Sequence, residues 1–269
     1  MKAFFIDLDS TMLNDQKEIT LATRDALLRT KNAGHEIVIA TGRSFPYIDN
    51  RNKEIGNVCR YAIASTGAII YDLVEQKILT TTPISIRSLK AICRLTHPDT
   101  IWLFHCTDGL FSTKENPAEQ NGIYKYMAEP LDIFLQKKTV CAICIASYNF
   151  DIIKDMEPGI AKIPGIQIAS HHRALIDQSF PRRGLAYYDI TSSGVSKGGG
   201  VKPIRDLLGI QKSDCIAIGD DNNDISMFMQ CGTKVAMGNA ITAIKEIADY
   251  ITDDNNNDGI ANFLNNYIK

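Results

Sequence analysis

The sequence lacks any apolar run close to the roughly 20 residues that a membrane-spanning helix requires. It also has little net charge, because 29 basic residues nearly balance 31 acidic ones and leave a formal charge of -2. This balance gives no sign of a surface that attracts nucleic acid or an anionic membrane. The first residues lack the basic and apolar regions of a signal peptide and enter a strand pattern directly. We therefore expect a cytoplasmic protein without a nucleic-acid or membrane partner.

The sequence is also poor in paired cysteines. Of its seven cysteines, only Cys141 and Cys144 form a CxxC motif, inside the apolar run "TVCAICIAS". That run predicts a buried strand, on which residues three apart point to opposite faces. No second CxxC completes a zinc site. A redox pair or half of a zinc site is thus the less favoured interpretation, and buried thiols of the core the more favoured one.

The first third of the chain alternates strand and helix patterns. The apolar runs "AFFIDLD", "HEIVIATG" and "YAIAS" predict buried strands, and "TLATRDALLRTKNAG" predicts a helix capped by Thr20 and ended by Gly34. The last third repeats the alternation, with strands predicted at "DCIAIGD" and "KVAMG". Continuous apolar strands separated by helices predict an α/β fold with a parallel sheet covered on both faces.

The middle of the chain has a different pattern. "GAIIYDLVEQKILTTTPI" predicts a hairpin that leaves the sheet, and "IWLFHCTDGLFST" predicts two antiparallel strands around Asp108 and Gly109. Further strands are predicted at "TVCAICIAS" and "IQIAS", with helices at "PAEQNGIYKYMAE" and "FDIIKDMEPGIAKI". We interpret residues 83–187 as a second α/β domain inserted into a first one formed by residues 1–82 and 188–269.

Polar side chains follow several of the predicted core strands. The first strand ends in Asp7 and Asp9, two acids that repel each other and are costly to desolvate. Ligands of open parallel sheets bind at the carboxyl ends of the strands, so groups that follow the strands converge on one edge. The other groups expected at this edge are Thr41, Gly42, Arg43, Lys197, Asp220, Asp221, Asn223 and Asp224.

The residue types at this edge favour phosphoryl chemistry. Asp7, Asp220 and Asp224 supply the hard oxygen ligands that suit Mg²⁺, and the cation would offset their repulsion. Thr41 and Lys197 can bind phosphate oxygens. A carboxylate can attack phosphorus to form an aspartyl-phosphate, and a second one two residues later can act as acid and then base.

Each of these fragments also has an ordinary structural interpretation. Aspartates at strand ends often cap helices or form Asx turns, and "GDDNND" alone could be a polar turn before a helix. A threonine-glycine pair is an ordinary strand exit, and a single lysine is usually a surface residue. The occurrence of all four fragments in order at the ends of predicted strands favours the functional interpretation.

The sequence resembles the haloacid dehalogenase-like phosphatase superfamily, and specifically its Cof-type sugar-phosphatase branch, over the whole chain. The resemblance is carried by "DLDST", "ATGR", "GVSKG" and "GDDNND", together with "STGAIIYD" and "DDNNNDGIANFL". It implies a Rossmann-like doubly wound core with a large inserted α/β cap. It also implies a magnesium-dependent phosphatase that acts on a small phosphorylated metabolite, as a monomer or weak homo-oligomer.

The resemblance assigns roles position by position. Asp7 would be the nucleophile and Asp9 the general acid and base. Mg²⁺ would be held by Asp7, the Asp9 main-chain carbonyl and Asp220, with Asp224 holding a metal-bound water. The catalytic set would also include Thr41 and Lys197, and substrate contacts would come from Thr41, Gly42, Arg43, Lys197 and Asn223.

The chain departs from the family pattern in three places. Ser10 stands where the family has glycine, which would cost about 1 kcal/mol or more if that position needs positive φ. Thr66 replaces the usual asparagine. "KGGGVKP" is richer in glycine than the family's helix start, so we expect that helix to begin late, near Pro203.

Other functions share parts of this chemistry. A dehalogenase needs neither an acid at position 9 nor magnesium, and a receiver-like signalling module has no use for a cap. A phosphomutase with the same core chemistry and a non-catalytic phosphometabolite sensor remain the alternatives. The cap should set substrate choice, with Arg43, His171, His172, Arg182 and Arg183 as candidate contacts, although the "SHHRALIDQSFPRRG" segment also fits a solvated loop.

Overall fold

The computed structural model describes residues 1–115, 123–176, 182 and 184–267. The chain divides into two compact units, the first made of Met1–Leu79 and Ser196–Lys269 and the second of Thr80–Val195. The later boundary lies beyond the predicted residue 187. The reason is that Ala186–Ser192 forms a strand that pairs on both sides within the second unit's sheet.

The first sheet has eight strands and is parallel over most of its width. Its order is β14-β13-β12-β1-β2-β3-β4-β5, in which β14 through β3 are parallel and β4 runs antiparallel to β3. This arrangement confirms the predicted α/β fold. The strands are β1 (Ala3–Ile6), β2 (Glu36–Ala40), β3 (Tyr61–Ala64), β4 (Ile69–Asp72), β5 (Lys77–Thr81), β12 (Cys215–Gly219), β13 (Thr233–Ala236) and β14 (Tyr250–Ile251).

The hairpin predicted to leave this sheet instead extends it, because the apolar strand β4 is buried and pairs with β3. The helices of the same unit follow the strand ends, as the alternation predicted. Thr20 caps the first of them by accepting a hydrogen bond from the Thr23 amide at 3.2 Å. These helices are α1 (Leu21–Asn32), α2 (Phe45–Glu54), α6 (Lys197–Leu208), α7 (Ile225–Gln230), α8 (Thr242–Ile247) and α9 (Gly259–Tyr267).

The second unit contains a sheet of order β10-β11-β9-β6-β7-β8 around an apolar core that includes Trp102, Phe104 and Phe134. The two strands predicted around Asp108 and Gly109 are present and antiparallel. The elements are β6 (Ile101–Cys106), β7 (Gly109–Ser112), β8 (Tyr124–Tyr126), β9 (Val140–Ser147), β10 (Ile166–His171) and β11 (Ala186–Ser192), with α3 (Ile86–Ile92), α4 (Leu131–Lys137) and α5 (Phe150–Ala161).

The helix predicted at residues 117–129 is wrong where it can be compared. Tyr124–Tyr126 forms β8 and pairs in parallel with β7, since aromatic residues favour a pleated surface. Residues 116–122 lie outside the described residues. Of the CxxC pair on β9, Cys141 is fully buried and Cys144 half-buried, and the two are not joined by a disulfide. Among the helices of the described ranges, none combines the length and apolar character that crossing a bilayer requires.

Candidate functional site

Three buried carboxylates meet at the carboxyl edge of the first sheet. Asp7 follows β1, Asp220 follows β12, and Asp224 lies in the turn before α7. The first two are 5% and 6% exposed and the third is fully buried. One carboxylate oxygen from each lies within 4.8 Å of the others. The sequence prediction that these acids converge is therefore confirmed in their geometry.

Lys197 places its ammonium group between two of these acids. Its Nζ donates to Asp7 Oδ1 and to Asp224 Oδ1, each at 2.6 Å, and its side chain is 1% exposed. Burial opposes the charge, but Asp224 and Asp7 outweigh it and raise the pKa of Lys197, which stays protonated. A permanent positive charge therefore lies against the first carboxylate of the chain.

Two of the three acids, Asp7 and Asp220, have raised pKa values because they are buried beside other acids. Burial raises the pKa of Asp7 to about 7, with Lys197 opposing the rise and Asp224 adding to it. Burial, followed by repulsion from Asp7 and Asp224, raises the pKa of Asp220 well above its usual value. Thr11 partly offsets this by donating its hydroxyl to Asp220 Oδ1 at 2.8 Å. The cluster carries more negative charge than its single lysine compensates.

The turn after β12 is organised around Asp224. Its Oδ2 accepts the backbone N–H groups of Asp220 at 3.0 Å and Asp221 at 3.1 Å, while its Oδ1 binds Lys197. A Cβ at Gly219 would lie 2.5 Å from Asp224 Cγ, so glycine is required there. Both oxygens of Asp224 thus already have donors, which makes it an anchor for the loop and for the lysine.

Asp9 lies outside this group of three carboxylates and is held by cations. Arg43 donates to both its oxygens, from Nε and from Nη2, at 2.9 Å each, and Lys17 Nζ lies 3.2 Å from Oδ1. Burial opposes ionisation, but Arg43 and Lys17 outweigh it and lower the pKa of Asp9. Arg43 also lies over the Tyr47 ring, 5.0 Å from its centre. No local sequence pattern indicates this ion pair.

The backbone at Ser10 is left-handed, with φ 59° and ψ 12°. Position 10 therefore has the positive φ at which serine is less favourable than glycine. We expect Ser10→Gly to raise the free energy of unfolding by about 0.5 to 1 kcal/mol, since relief of about 1–2 kcal/mol is partly offset by the greater freedom of unfolded glycine. Urea denaturation measures the change.

Ser44→Gly is the matched control for this substitution. Ser44 is buried, has an ordinary φ of -71°, and its hydroxyl has no hydrogen-bond partner among the described residues. The Ser44→Gly substitution should therefore not raise the free energy of unfolding. An equal gain in both variants would contradict the strain at Ser10.

The turn after β3 contacts the predicted site residue Thr41 and the start of α6. The Thr66 amide donates to the Thr41 carbonyl at 3.0 Å, and both Ser65 and Thr66 have positive φ. A Cβ at Gly67 would lie 2.1 Å from the Ser196 carbonyl oxygen, which allows this turn to approach the start of α6. Within the described part of the chain, the Thr66 hydroxyl has no hydrogen-bond partner.

The prediction that α6 begins near Pro203 is wrong. The helix begins at Lys197, because Ser196 caps it by accepting the Gly199 amide at 3.1 Å. The glycines that suggested a late start instead allow close packing. A Cβ at Gly198 would lie 2.1 Å from the Ser226 carbonyl oxygen, and one at Gly200 would lie 2.7 Å from the Ile63 side chain.

The remaining candidate substrate-binding residues lie in both units. Thr41 is buried and accepts the Arg43 amide at 3.2 Å, Gly42 is half-buried after β2, and Asn223 is half-buried before α7. In the second unit, Arg182 pairs with Asp151 at 3.2 Å. His171 and His172 belong to the same unit at the end of β10, and Arg183 lies outside the described residues. Substrate contact by these residues stays a prediction.

Known proteins are similar to this chain over nearly its whole length. A family model described as haloacid dehalogenase-like hydrolase matches residues 4–264. YitU of Bacillus subtilis (strain 168), a 5-amino-6-(5-phospho-D-ribitylamino)uracil phosphatase, is 28% identical over 286 residues, covering 98% of this chain and 96% of YitU. YbhA of Escherichia coli (strain K12), a pyridoxal phosphate phosphatase, is 26% identical over 278 residues, covering 98% and 97%. The structure of BT4131, a subclass IIB sugar phosphatase, shares the fold with a TM-score of 0.80 at 22% identity, covering 99% of each chain.

Proposed function

The chain belongs to the haloacid dehalogenase-like hydrolase family and is a phosphatase, and we propose that it hydrolyses small phosphomonoesters with Mg²⁺ through an aspartyl-phosphate on Asp7. The observation that carries this proposal is the buried cluster in which Lys197 bridges Asp7 and Asp224 beside Asp220. A nucleophilic carboxylate, a fixed ammonium group and further acids lie together at the ligand-binding edge of the sheet.

The donor set of the cluster fits Mg²⁺. Three carboxylates supply hard oxygen atoms within 4.8 Å of one another, and one lysine leaves part of their charge uncompensated. Asp7 and Asp220 would hold the ion together with the Asp9 main-chain carbonyl, and Asp224 would complete the acidic surroundings. When bound, the ion would reduce the repulsion between these acids and an anionic phosphoryl group.

The chain's own residues would carry the covalent steps. Asp7 attacks phosphorus, the bond to the leaving oxygen breaks, and Asp9 gives that oxygen a proton. Asp9 then takes a proton from water, which attacks the phosphoryl group and restores the Asp7 carboxylate while phosphate leaves. Lys197 favours the ionised form of Asp7 and, with Thr41, would bind phosphate oxygens. Because Arg43 pairs with Asp9, that ion pair must open before Asp9 can be protonated.

The proposed substrates are small phosphorylated metabolites, with sugar phosphates first and nucleotides or cofactor phosphates second. Two relatives are named for a ribityl phosphate compound and for pyridoxal phosphate, both small phosphomonoesters. The formal charge of -2 supports a small-molecule substrate rather than nucleic acid. All seven cysteines lie among the described residues and none forms a disulfide, which fits a reducing, cytoplasmic location.

Phosphate release across a panel of phosphomonoesters tests this function. With Mg²⁺ we expect hydrolysis of at least one sugar, nucleotide or cofactor phosphate, and with chelator a loss of about 100-fold or more, because the uncompensated acids would repel the phosphoryl group. Restoring Mg²⁺ should restore the rate. Full activity in chelator would refute the metal requirement, and transfer of phosphate within a sugar phosphate without release would favour a mutase.

A further inference from the structure

Two asparagines from the last part of the chain form hydrogen bonds to the turn that follows Asp9. Asn239 Nδ2 donates to the Ser10 carbonyl at 2.8 Å, and its Oδ1 accepts the Asn255 amide at 3.1 Å. Asn255 Nδ2 then donates to the Leu13 carbonyl and to Asp15 Oδ1, both at 3.1 Å. One continuous set of side-chain amides therefore holds residues 10, 13 and 15.

The turn formed by Asp9 and Ser10 has an unfavourable backbone conformation. Ser10 has left-handed backbone angles, which are sterically unfavourable for an L-residue. The residue before it is Asp9, whose backbone is extended at φ -76° and ψ 129°. The direction of the Asp9 side chain thus depends on the turn that Ser10 forms. The hydrogen bond from Asn239 to the Ser10 carbonyl stabilises that turn.

The loop that carries Asn239 is itself fixed to the acid cluster and to the C-terminal segment. The Ile241 amide donates to the Asp220 carbonyl at 3.0 Å, and the Gly238 amide donates to the Asp253 carbonyl at 3.1 Å. A Cβ at Gly238 would lie 2.7 Å from the Asp254 amide nitrogen, so the two loops are in close contact. The loop after β13 therefore spans from Asp220 to the Asp9–Ser10 turn.

We propose that Asn239, aligned by Asn255, is a positioning residue that sets Asp9 for proton transfer to the leaving group. The proposal rests on the proposed function, since it needs Asp9 to be the acid and base. Asn239 contacts the turn and not the reacting atoms. Its effect should therefore appear in the step that needs Asp9, and little in substrate binding.

The experiment compares Asn239→Ala with the unsubstituted chain on two kinds of phosphomonoester. An alkyl phosphate needs a protonated leaving oxygen, whereas p-nitrophenyl phosphate has a good leaving group and needs little help. We expect kcat to fall about 10-fold or more for the alkyl phosphate and less than about threefold for the aryl one. KM should change less than about threefold for both substrates, because binding does not need Asp9.

A double-mutant cycle with Asp9→Asn gives the second readout. If Asn239 acts through Asp9, Asn239→Ala should lower kcat less than about twofold once Asp9 is already replaced. Asn52→Ala is the matched control, because Asn52 is a buried amide that donates to the Cys59 carbonyl at 2.8 Å on a different loop. It should affect both substrates equally.

The outcomes separate the two proposals. If the unsubstituted chain hydrolyses no phosphomonoester, the proposed function fails. If it is active but Asn239→Ala lowers both substrates equally, or adds its full effect to Asp9→Asn, the positioning role is overturned and the function stands. Circular dichroism checks folding. If Asn239→Ala does not fold, Asn239→Ser and Asn255→Ala undergo the same two measurements. A selective loss on the alkyl phosphate that disappears with Asp9→Asn supports the positioning role, and an equal loss on both substrates overturns it.

Discussion

Asp7→Asn should abolish turnover, with a fall in kcat of more than about 1,000-fold. The amide has nearly the shape of the carboxylate but is not a nucleophile, so no aspartyl-phosphate can form. Folding should persist, because Lys197 keeps its 2.6 Å bond to Asp224 and can donate to the amide oxygen. The substitution also removes one of three buried acids, and burial together with mutual repulsion raises the pKa values of Asp7 and Asp220.

Phosphate release with Mg²⁺ measures this loss, and Asp25→Asn is the control. Asp25 is an exposed acid on α1, so its replacement should leave turnover within about twofold. Mass measurement after acid quench adds a direct readout, since the unsubstituted chain should carry a phosphoryl group that Asp7→Asn lacks. Turnover of Asp7→Asn within tenfold of the unsubstituted chain would refute the nucleophile assignment.

The convergence of the acids could be predicted because it depends on a general rule of sheets. Short apolar strands separated by helices predict parallel neighbours, and parallel strands bring the residues after them to one edge. Asp7, Asp220 and Asp224 obey this rule. A penalty at Ser10 could be predicted conditionally, because the family that the chain resembles has glycine there and serine is unfavourable if φ is positive.

The partners within the site could not be predicted, because they depend on side-chain reach across the fold. The sequence predicts that Arg43 binds substrate, yet its guanidinium donates to the carboxylate of Asp9, 34 residues away in sequence. Asn239 reaches Ser10 across 229 residues. No local pattern encodes such contacts. The late start predicted for α6 failed for the opposite reason, since close packing against Ile63 and Ser226 outweighs the poor helix propensity of glycine.

Lys197→Met should destabilise the fold more than any surface substitution. Methionine fills a similar volume but removes the cation that lies 2.6 Å from both Asp7 and Asp224. Both carboxylates would then be buried without their charged partner, and removing one member of a buried ion pair costs about 3–5 kcal/mol. We expect a loss of that size in urea denaturation with chelator present, together with loss of phosphate release.

The matched control lies on the same helix. Lys202 pairs with Asp206 on the exposed face of α6, so Lys202→Met should change stability by less than about 1 kcal/mol. The difference between the two variants isolates burial, because both remove one lysine and its carboxylate contact from one helix. If Lys197→Met unfolds no more easily than Lys202→Met, the ammonium group does not hold the acid cluster together. Loss of phosphate release without loss of stability would then limit Lys197 to a role in the reaction.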